Sequence, residues 1–586
     1  MPAIGSSDIA FTTQLEQLVA RIQATKPASE ALIHDLDQFI QKNLVVNQTP
    51  TEKPNPTAQD KSAVRVATAV LSMVGRCCEA DKDEALVDLI QGYWPVIWRW
   101  LQFLERVFSQ LDYGVEVKFK SICVIATTFE CLTVQDALKT HIRATPEAVS
   151  LIVGHWKRQG RDHKVDSLFN AFSMPKPFTP VLSSLLGNCP PEIGICDMVA
   201  DTCGGPKSFA VIAMEHWAAA LQDHGDHSFA NLKAHLILIH NLMFPHPRQL
   251  IHYALLNQGM VPALVKSLVW LAGFSDTDSK AGYCVWRCCH LLQTAFVVPN
   301  EECWVSQALD AGLVSAYLRS SSLMMALPDY VRDECTLLFS RILCRSLIYL
   351  QVLKAAEKAI RRVDRLHLDH YSRQAAPVWA SWTAFRDIAM ERMALKRAVD
   401  ELDEQMPQAK QCRRVLCDGP DKEDRFMRCS GCLSATYCSR TCQKMDWPAH
   451  KAACQTQQKL LRDGELVPLS ASSRAFIHEL ATFDMQKNFS SLISTFWEKF
   501  AGYCPSELAI SVDYVEVPVQ VTLIKTTDFD HNDALHWREH NEAIVRSGGT
   551  HMAVKATIQR GQSKGNVLWD VKVPEEMRTR SLVYNV

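Results

Sequence analysis

Three scarcities bound what this chain can be. It has no excess of charge of either sign: 62 basic residues stand against 64 acidic ones, for a formal net charge of −2. That excludes a generally polycationic or polyanionic protein. It has no long apolar run, because stretches such as LLNQGMVPALVKSLVWLAGF are broken by Lys266, glycine or proline within about 18 residues, so no membrane span is expected. Glycine is sparse, at 23 of 586 residues. No phosphate loop of Walker type occurs, and neither a Gly-x-Ser-x-Gly elbow nor a His-Glu-x-x-His pair is found, so no catalytic residue is assigned. The opening segment, MPAIGSSDIAFTTQLEQ, does not join a basic stretch to an apolar core. An intracellular chain, cytoplasmic or nuclear, with reduced thiols is therefore expected.

Cysteine is abundant, at 21 residues, and seven of these crowd between Cys412 and Cys454 together with one histidine. They fall into four pairs: Cys412 with Cys417, Cys429 with Cys432, Cys438 with Cys442, and His450 with Cys454. Zinc favours thiolate and imidazole donors, and short pairings let one turn or helix end present two of them. Eight donors complete two tetrahedral zinc sites with no position left for water, which is the character of a structural metal and not of a catalytic one. Disulfides are the alternative, and they require an oxidising compartment. Other cysteines, among them Cys77, Cys78, Cys288, Cys289 and Cys344, lie in apolar helical stretches and read as buried thiols.

A RING-type cross-brace would carry its histidine near the middle of the donor series, whereas here it is seventh of eight. The segment instead resembles a MYND finger. The resemblance rests on C-x4-C at Cys412 and Cys417, C-x2-C at Cys429 and Cys432, and YCS-x2-CQ from Tyr437 through Cys438, Ser439, Cys442 and Gln443. It is completed by W-x2-H-x3-C from Trp447 through His450 to Cys454. The resemblance implies an interleaved arrangement: Cys412, Cys417, Cys438 and Cys442 on one zinc, and Cys429, Cys432, His450 and Cys454 on the other. It also implies binding of short proline-containing or extended peptides from partner proteins, with Gln443 as a polar contact and Trp447 as an aromatic wall. Trp447 can equally serve as the roof of the second zinc site, since so small a module needs its large apolar residues for its own core. Eight basic residues against five acidic ones between 412 and 454, offset by zinc-bound thiolates, leave the finger nearly neutral. Protein, not nucleic acid, is the expected partner.

The remainder reads as mainly α. Residues 1–46 carry two helical patterns, 47–62 a proline-rich linker, and 63–405 a helical domain of armadillo/HEAT type. Segments starting at Gly92, Thr145, Pro206, Gly259 and Gly312 align, with separations of 53, 61, 53 and 53 residues. Their fifth residues are Val96, Val149, Ala210, Ala263 and Ala316, and their twelfth are Phe103, Trp156, Trp217, Trp270 and Leu323. Seven residues apart, these positions share one helical face. Either a repeat array or a non-repetitive helical domain accounts for the pattern. His224, His227, His235, His240, His246 and His252 lack short-spaced partners and read as ordinary helix and loop residues. Lys354, Lys358, Arg361, Arg362 and Arg365 form a basic helical face, read as solvated surface.

The stretch WASWTAFRDIAMERMALKRAVDELDEQM reads as a long helix leading into the finger of 412–454. Beyond it, 465–586 reads as a small α+β domain: helix over 470–500, strands in ELAISVDYVEVPVQVTLIK, helix in DALHWREHNEAIV, and a hairpin from THMAVKATIQRG to NVLWDVKV. Some MYND fingers sit within SET-domain lysine methyltransferases, but the asparagine-histidine-serine-cysteine segment of such enzymes has no counterpart here. The expectation is a zinc-binding, non-enzymatic interaction adaptor, similar in architecture to long fungal MYND proteins with a helical front. The alternatives are a transcriptional regulator recruiting a corepressor and, behind it, a relative of the SET-type methyltransferases.

Overall fold

The computed structural model describes residues 6–25, 29–46, 49–50, 57–78, 84–109, 115–161, 169, 176–188, 194–222, 228–243, 249–274, 279–371, 373, 375–405, 427–430, 435–462, 469, 471–529, 541, 544–545, 547–548, 550–560 and 563–578. They form two compact units, Met1–Ala263 and Leu264–Val586, the division falling within the helix Met260–Leu271. Among the described residues no single helix is long and apolar enough to cross a membrane.

In the first unit every described element is helical. Sequence cues fix several starts. Ser29 caps Glu30–Ile40, its hydroxyl accepting from Leu32 N at 3.4 Å. Pro146 and Pro206 open Pro146–Arg158 and Pro206–Gln222, where a missing N–H costs nothing. In Trp94–Ser109 the residues Ile97, Trp100, Leu101 and Leu104 are buried, at the three- and four-residue spacing of one helical face. Ala58–Cys78 begins inside the segment expected as linker, and residues 47–48 and 51–56 of that segment lie outside the described residues.

Many of the long-range polar contacts of this unit share a sequence separation of just over fifty residues, although Arg143 reaches the Leu185 carbonyl across 42. Tyr93 donates to Asp37 at 2.5 Å across 56 residues, Trp100 Nε1 to the Leu44 carbonyl at 3.1 Å across 56, and Arg158 to Glu105 at 2.8 Å across 53. Ser184 donates to the Thr133 carbonyl at 3.0 Å across 51, and Asn241 to the Ser183 carbonyl at 2.8 Å across 58. Trp156 stacks on Phe209 with ring centroids 5.2 Å apart. These contacts tie helices to others about one repeat length away, the pattern of a layered helical stack.

The aligned segments do begin helices, at Trp94, Pro146, Pro206, Met260 and Leu313. Of the twelfth-position residues, Phe103, Trp156, Trp217 and Leu323 are buried, while Trp270 is half-exposed and leans on Phe274. Leu323 does not share a helix with Ala316. The helix Leu313–Arg319 stops before the serines at 320–322, and Ser320 Oγ bonds back to the Ala316 carbonyl at 2.9 Å. Such back-bonding competes with helix continuation. Gly312, at φ 102°, supplies the left-handed turn between Glu301–Ala311 and Leu313–Arg319.

The second unit continues with helices through Leu350–Leu366 to the long Ala376–Gln405. After the finger come Ala471–Lys487 and Phe489–Lys499, then a four-stranded sheet ordered Gln520–Lys525, Leu508–Asp513, His551–Arg560, Ser563–Lys572. The outer pairs are antiparallel. The central pair is parallel, with Ala509 opposite Ala553 and Ser511 opposite Lys555. Met552, Ala553, Val554, Ala556 and Ile558 are buried, so the central strand is covered on both faces. The helix expected in DALHWREHNEAIV falls mostly outside the described residues.

This sheet domain is fastened to the helices of its own unit by buried polar groups. Tyr349 donates to the Gln559 carbonyl at 2.5 Å and sits 3.1 Å from the Glu301 carboxylate. Arg392, 5% exposed, donates to the Cys344 carbonyl at 3.1 Å and lies 5.8 Å from the Tyr514 ring centroid, while Tyr514 donates to Asp484 at 2.9 Å. Burial raises the Asp484 carboxyl above the usual carboxylate range.

Of the histidines named above, His235 and His252 are buried in helices, and His224, His227 and His246 lie outside the described residues. His235 faces another buried histidine, His216, with ring centroids 6.0 Å apart, and His216 meets Trp156 edge-on. Burial pushes His216 down to about 4, with Lys176 and Arg161 adding to the shift and Glu215 opposing it. Unfolding returns the ring to an ordinary value near 6.5, so the unfolded chain takes up a proton that the folded one refuses. Stability should therefore be steady above pH 6.5 and fall toward pH 4, by about 3 kcal/mol for this group. In His216→Phe, urea midpoints between pH 7.5 and 4.5 should fall less steeply than in the parent. An unchanged slope would remove His216 from the acid sensitivity.

Candidate metal centre

The described part of the 412–454 segment is a short ribbon followed by a helix. Met427–Arg428 pairs antiparallel with Thr436–Tyr437, and Cys429 N donates to the Ala435 carbonyl at 2.9 Å, closing the ribbon where Cys429 leaves it. Ser439 Oγ accepts from Cys442 N at 3.1 Å and starts the helix Arg440–Arg462. Cys442, Asp446, His450 and Cys454 then follow at four-residue steps, so a single helix brings three donors back to the ribbon. Pro448 sits within this helix.

Cys429, His450 and Cys454 are all buried, and their donor atoms lie within 4.8 Å of one another. The Cys429 and Cys454 sulfurs are 3.7 Å apart. Two thiolates at about 2.3 Å from a tetrahedral zinc sit about 3.8 Å from each other, so this spacing fits the metal. Cys438 and Cys442 form a second close pair, sulfurs 3.5 Å apart. Cys412, Cys417 and Cys432 lie outside the described residues. The structure thus gathers two donor sets, with Cys429, His450 and Cys454 in one and Cys438 with Cys442 in the other.

Beside these donors is a core of Cys429, Ala435, Tyr437, Cys442 and Cys454. Tyr437 is fully buried, and its hydroxyl donates to Asp446 Oδ2 at 2.6 Å. That bond ties the ribbon to the helix midway between Cys442 and His450. The Tyr437 ring stands edge-on to His450, centroids 6.1 Å apart. Asp446 was not singled out by sequence reasoning. Its one cue is position, four residues from both Cys442 and His450.

Trp447 abuts His450 edge-on, ring centroids 6.0 Å apart, yet remains 39% exposed. It therefore backs the donor cluster and also offers an indole surface to solvent. Gln443, one turn earlier, is half-buried. Met445, which sequence reasoning passed over, is 58% exposed on the same helix.

Residues 410–454 match the profile of the MYND finger family. An F-box protein of Arabidopsis thaliana is 39% identical over 56 residues, 9% of this chain and 15% of that protein. The histone-lysine N-methyltransferase SMYD3 of Homo sapiens is 49% identical over 47 residues, 7% of this chain and 10% of that enzyme. The chain spans less than a sixth of either relative, so these likenesses carry over to a finger-sized segment alone. No solved structure matches.

Proposed function

We propose, from the premise that this chain carries a MYND-type zinc finger, that it is a non-catalytic adaptor whose helices display the finger to partner proteins. A MYND finger is a zinc-binding protein-interaction module. The observation that carries the reading is Trp447, half out of its own core beside a buried donor cluster, with Gln443 one turn away. An extended or proline-containing peptide laid across this surface would cover the indole and bring its backbone to the Gln443 amide. The buried thiols and imidazole would hold the surface in shape. Two zinc ions per chain fit the two donor gatherings: Cys412, Cys417, Cys438 and Cys442 for one, and Cys429, Cys432, His450 and Cys454 for the other.

Metal analysis of the purified chain should return two zinc ions. Cys438→Ala should lose one and weaken retention of the other, because both sets share one small core. A content near one or zero removes the two-site arrangement.

Proline-containing peptides captured by the parent protein should bind at least several-fold more weakly to Gln443→Ala. Zinc content and melting temperature should hold, since a partly exposed amide contributes about 0.5 kcal/mol or less to folding. Equal binding by both forms would move the docking surface off the finger. The absence of catalysis is tested separately by calorimetry with S-adenosylmethionine, for which no saturable binding is expected; micromolar binding would overturn the adaptor reading.

A further inference from the structure

The finger helix has a charge pattern that its overall near-neutrality hides. Arg440, Lys444, Trp447 and Lys451 follow at steps of four, three and four residues, which brings them to one side of the helix within about 60°. All four are exposed. Among the described residues, none of the three cations has a carboxylate partner, although surface cations elsewhere in the chain are paired, as Lys487 is with Glu391 at 2.7 Å. The acid on this stretch, Asp446, is turned inward to accept from Tyr437. The exposed indole is thus bracketed by cations, Lys444 about 4.5 Å and Lys451 about 6 Å along the helix axis, with Arg440 a further turn beyond Lys444.

We propose that the peptide seated against Trp447 is acidic, carrying a carboxylate two residues to either side of its apolar anchor. This rests on the docking surface proposed above and specifies its ligand. In an extended peptide, side chains two residues apart leave the same side about 6.6 Å from one another. With the anchor on the indole, the flanking carboxylates fall within reach of Lys444 and Lys451, whose long side chains absorb the small mismatch. The pairs are solvent-exposed, so each adds modest affinity and their main effect is selection among partners. A stripe of three cations about 16 Å long beside a single indole suits a short peptide better than a nucleic acid, which recruits a wider field of phosphate contacts.

The test uses the full zinc-loaded chain and a library of fluorescein-labelled, proline-containing dodecapeptides. Each core is made in three forms, such as Glu-Pro-Leu-Pro-Glu, Gln-Pro-Leu-Pro-Gln and Lys-Pro-Leu-Pro-Lys. At low salt the glutamate form should bind about three- to tenfold more tightly than the glutamine form, and the advantage should shrink at 0.5 M salt. The double variant Lys444→Glu with Lys451→Glu should prefer the lysine form, with zinc content and melting temperature unchanged. Equal binding of glutamate and glutamine forms, or an advantage that survives the double reversal, overturns the acidic-ligand inference and leaves docking at Trp447 intact. Binding by no member of the library removes the docking surface and the inference with it. Displacement of the glutamate peptide by a DNA duplex, lost in the double variant, would assign the stripe to phosphate and overturn the inference.

Discussion

Each helical layer in this chain has an apolar face that only its neighbours can cover, and that constraint organises both compact units. A helix such as Glu84–Gly92, nine residues long, is too short to be stable alone in water, so its persistence depends on burial against adjacent helices. The polar contacts follow the same rule. In the first unit many of them join residues 51 to 58 apart, with Arg143 reaching the Leu185 carbonyl across 42, and in the second Trp286 reaches Glu334 across 48 residues and Ser321 reaches the Tyr371 carbonyl across 50. The finger answers to a different constraint. It has few apolar residues, and its compactness comes from donors that a metal can tie together.

What could be read from the sequence follows from this difference. Donor spacing is local, so Cys429, Cys438, Cys442, His450 and Cys454 are identifiable as a set from the sequence alone. Helix starts at prolines and glycines were equally local, as were the strands at 508–513 and 551–560. Pairing was less legible. Alternation marks a strand but does not say that Leu508–Asp513 lies parallel to His551–Arg560 at the centre of the sheet. Nor does a matching repeat position fix burial: Trp217 is fully buried, whereas Trp270 is not, because each layer meets a different neighbour.

Polar residues that act at a distance were the least visible. Arg392 lies in a helix rich in charged residues and reads as surface, yet it is buried between the Cys344 carbonyl and Tyr514. Asp446 reads as one more helical acid, and only its bond to Tyr437 shows it holding ribbon to helix. In the same way, Arg440, Lys444 and Lys451 are unremarkable in a charge count and become informative once they share a face with an exposed indole.

The clasp between Tyr349 and Gln559 spans 210 residues, and this sets a timetable for the newborn chain. At about 5–20 residues per second, the ribosome needs roughly 10–40 s to deliver the carbonyl after the tyrosine has emerged. Arg392 similarly waits for Tyr514. During that interval the last helical layers exist without the sheet that covers these polar groups, so the nascent chain has a window in which its interior is open. A truncated message would leave it in that condition permanently, with a sticky surface for chaperones and proteases to recognise.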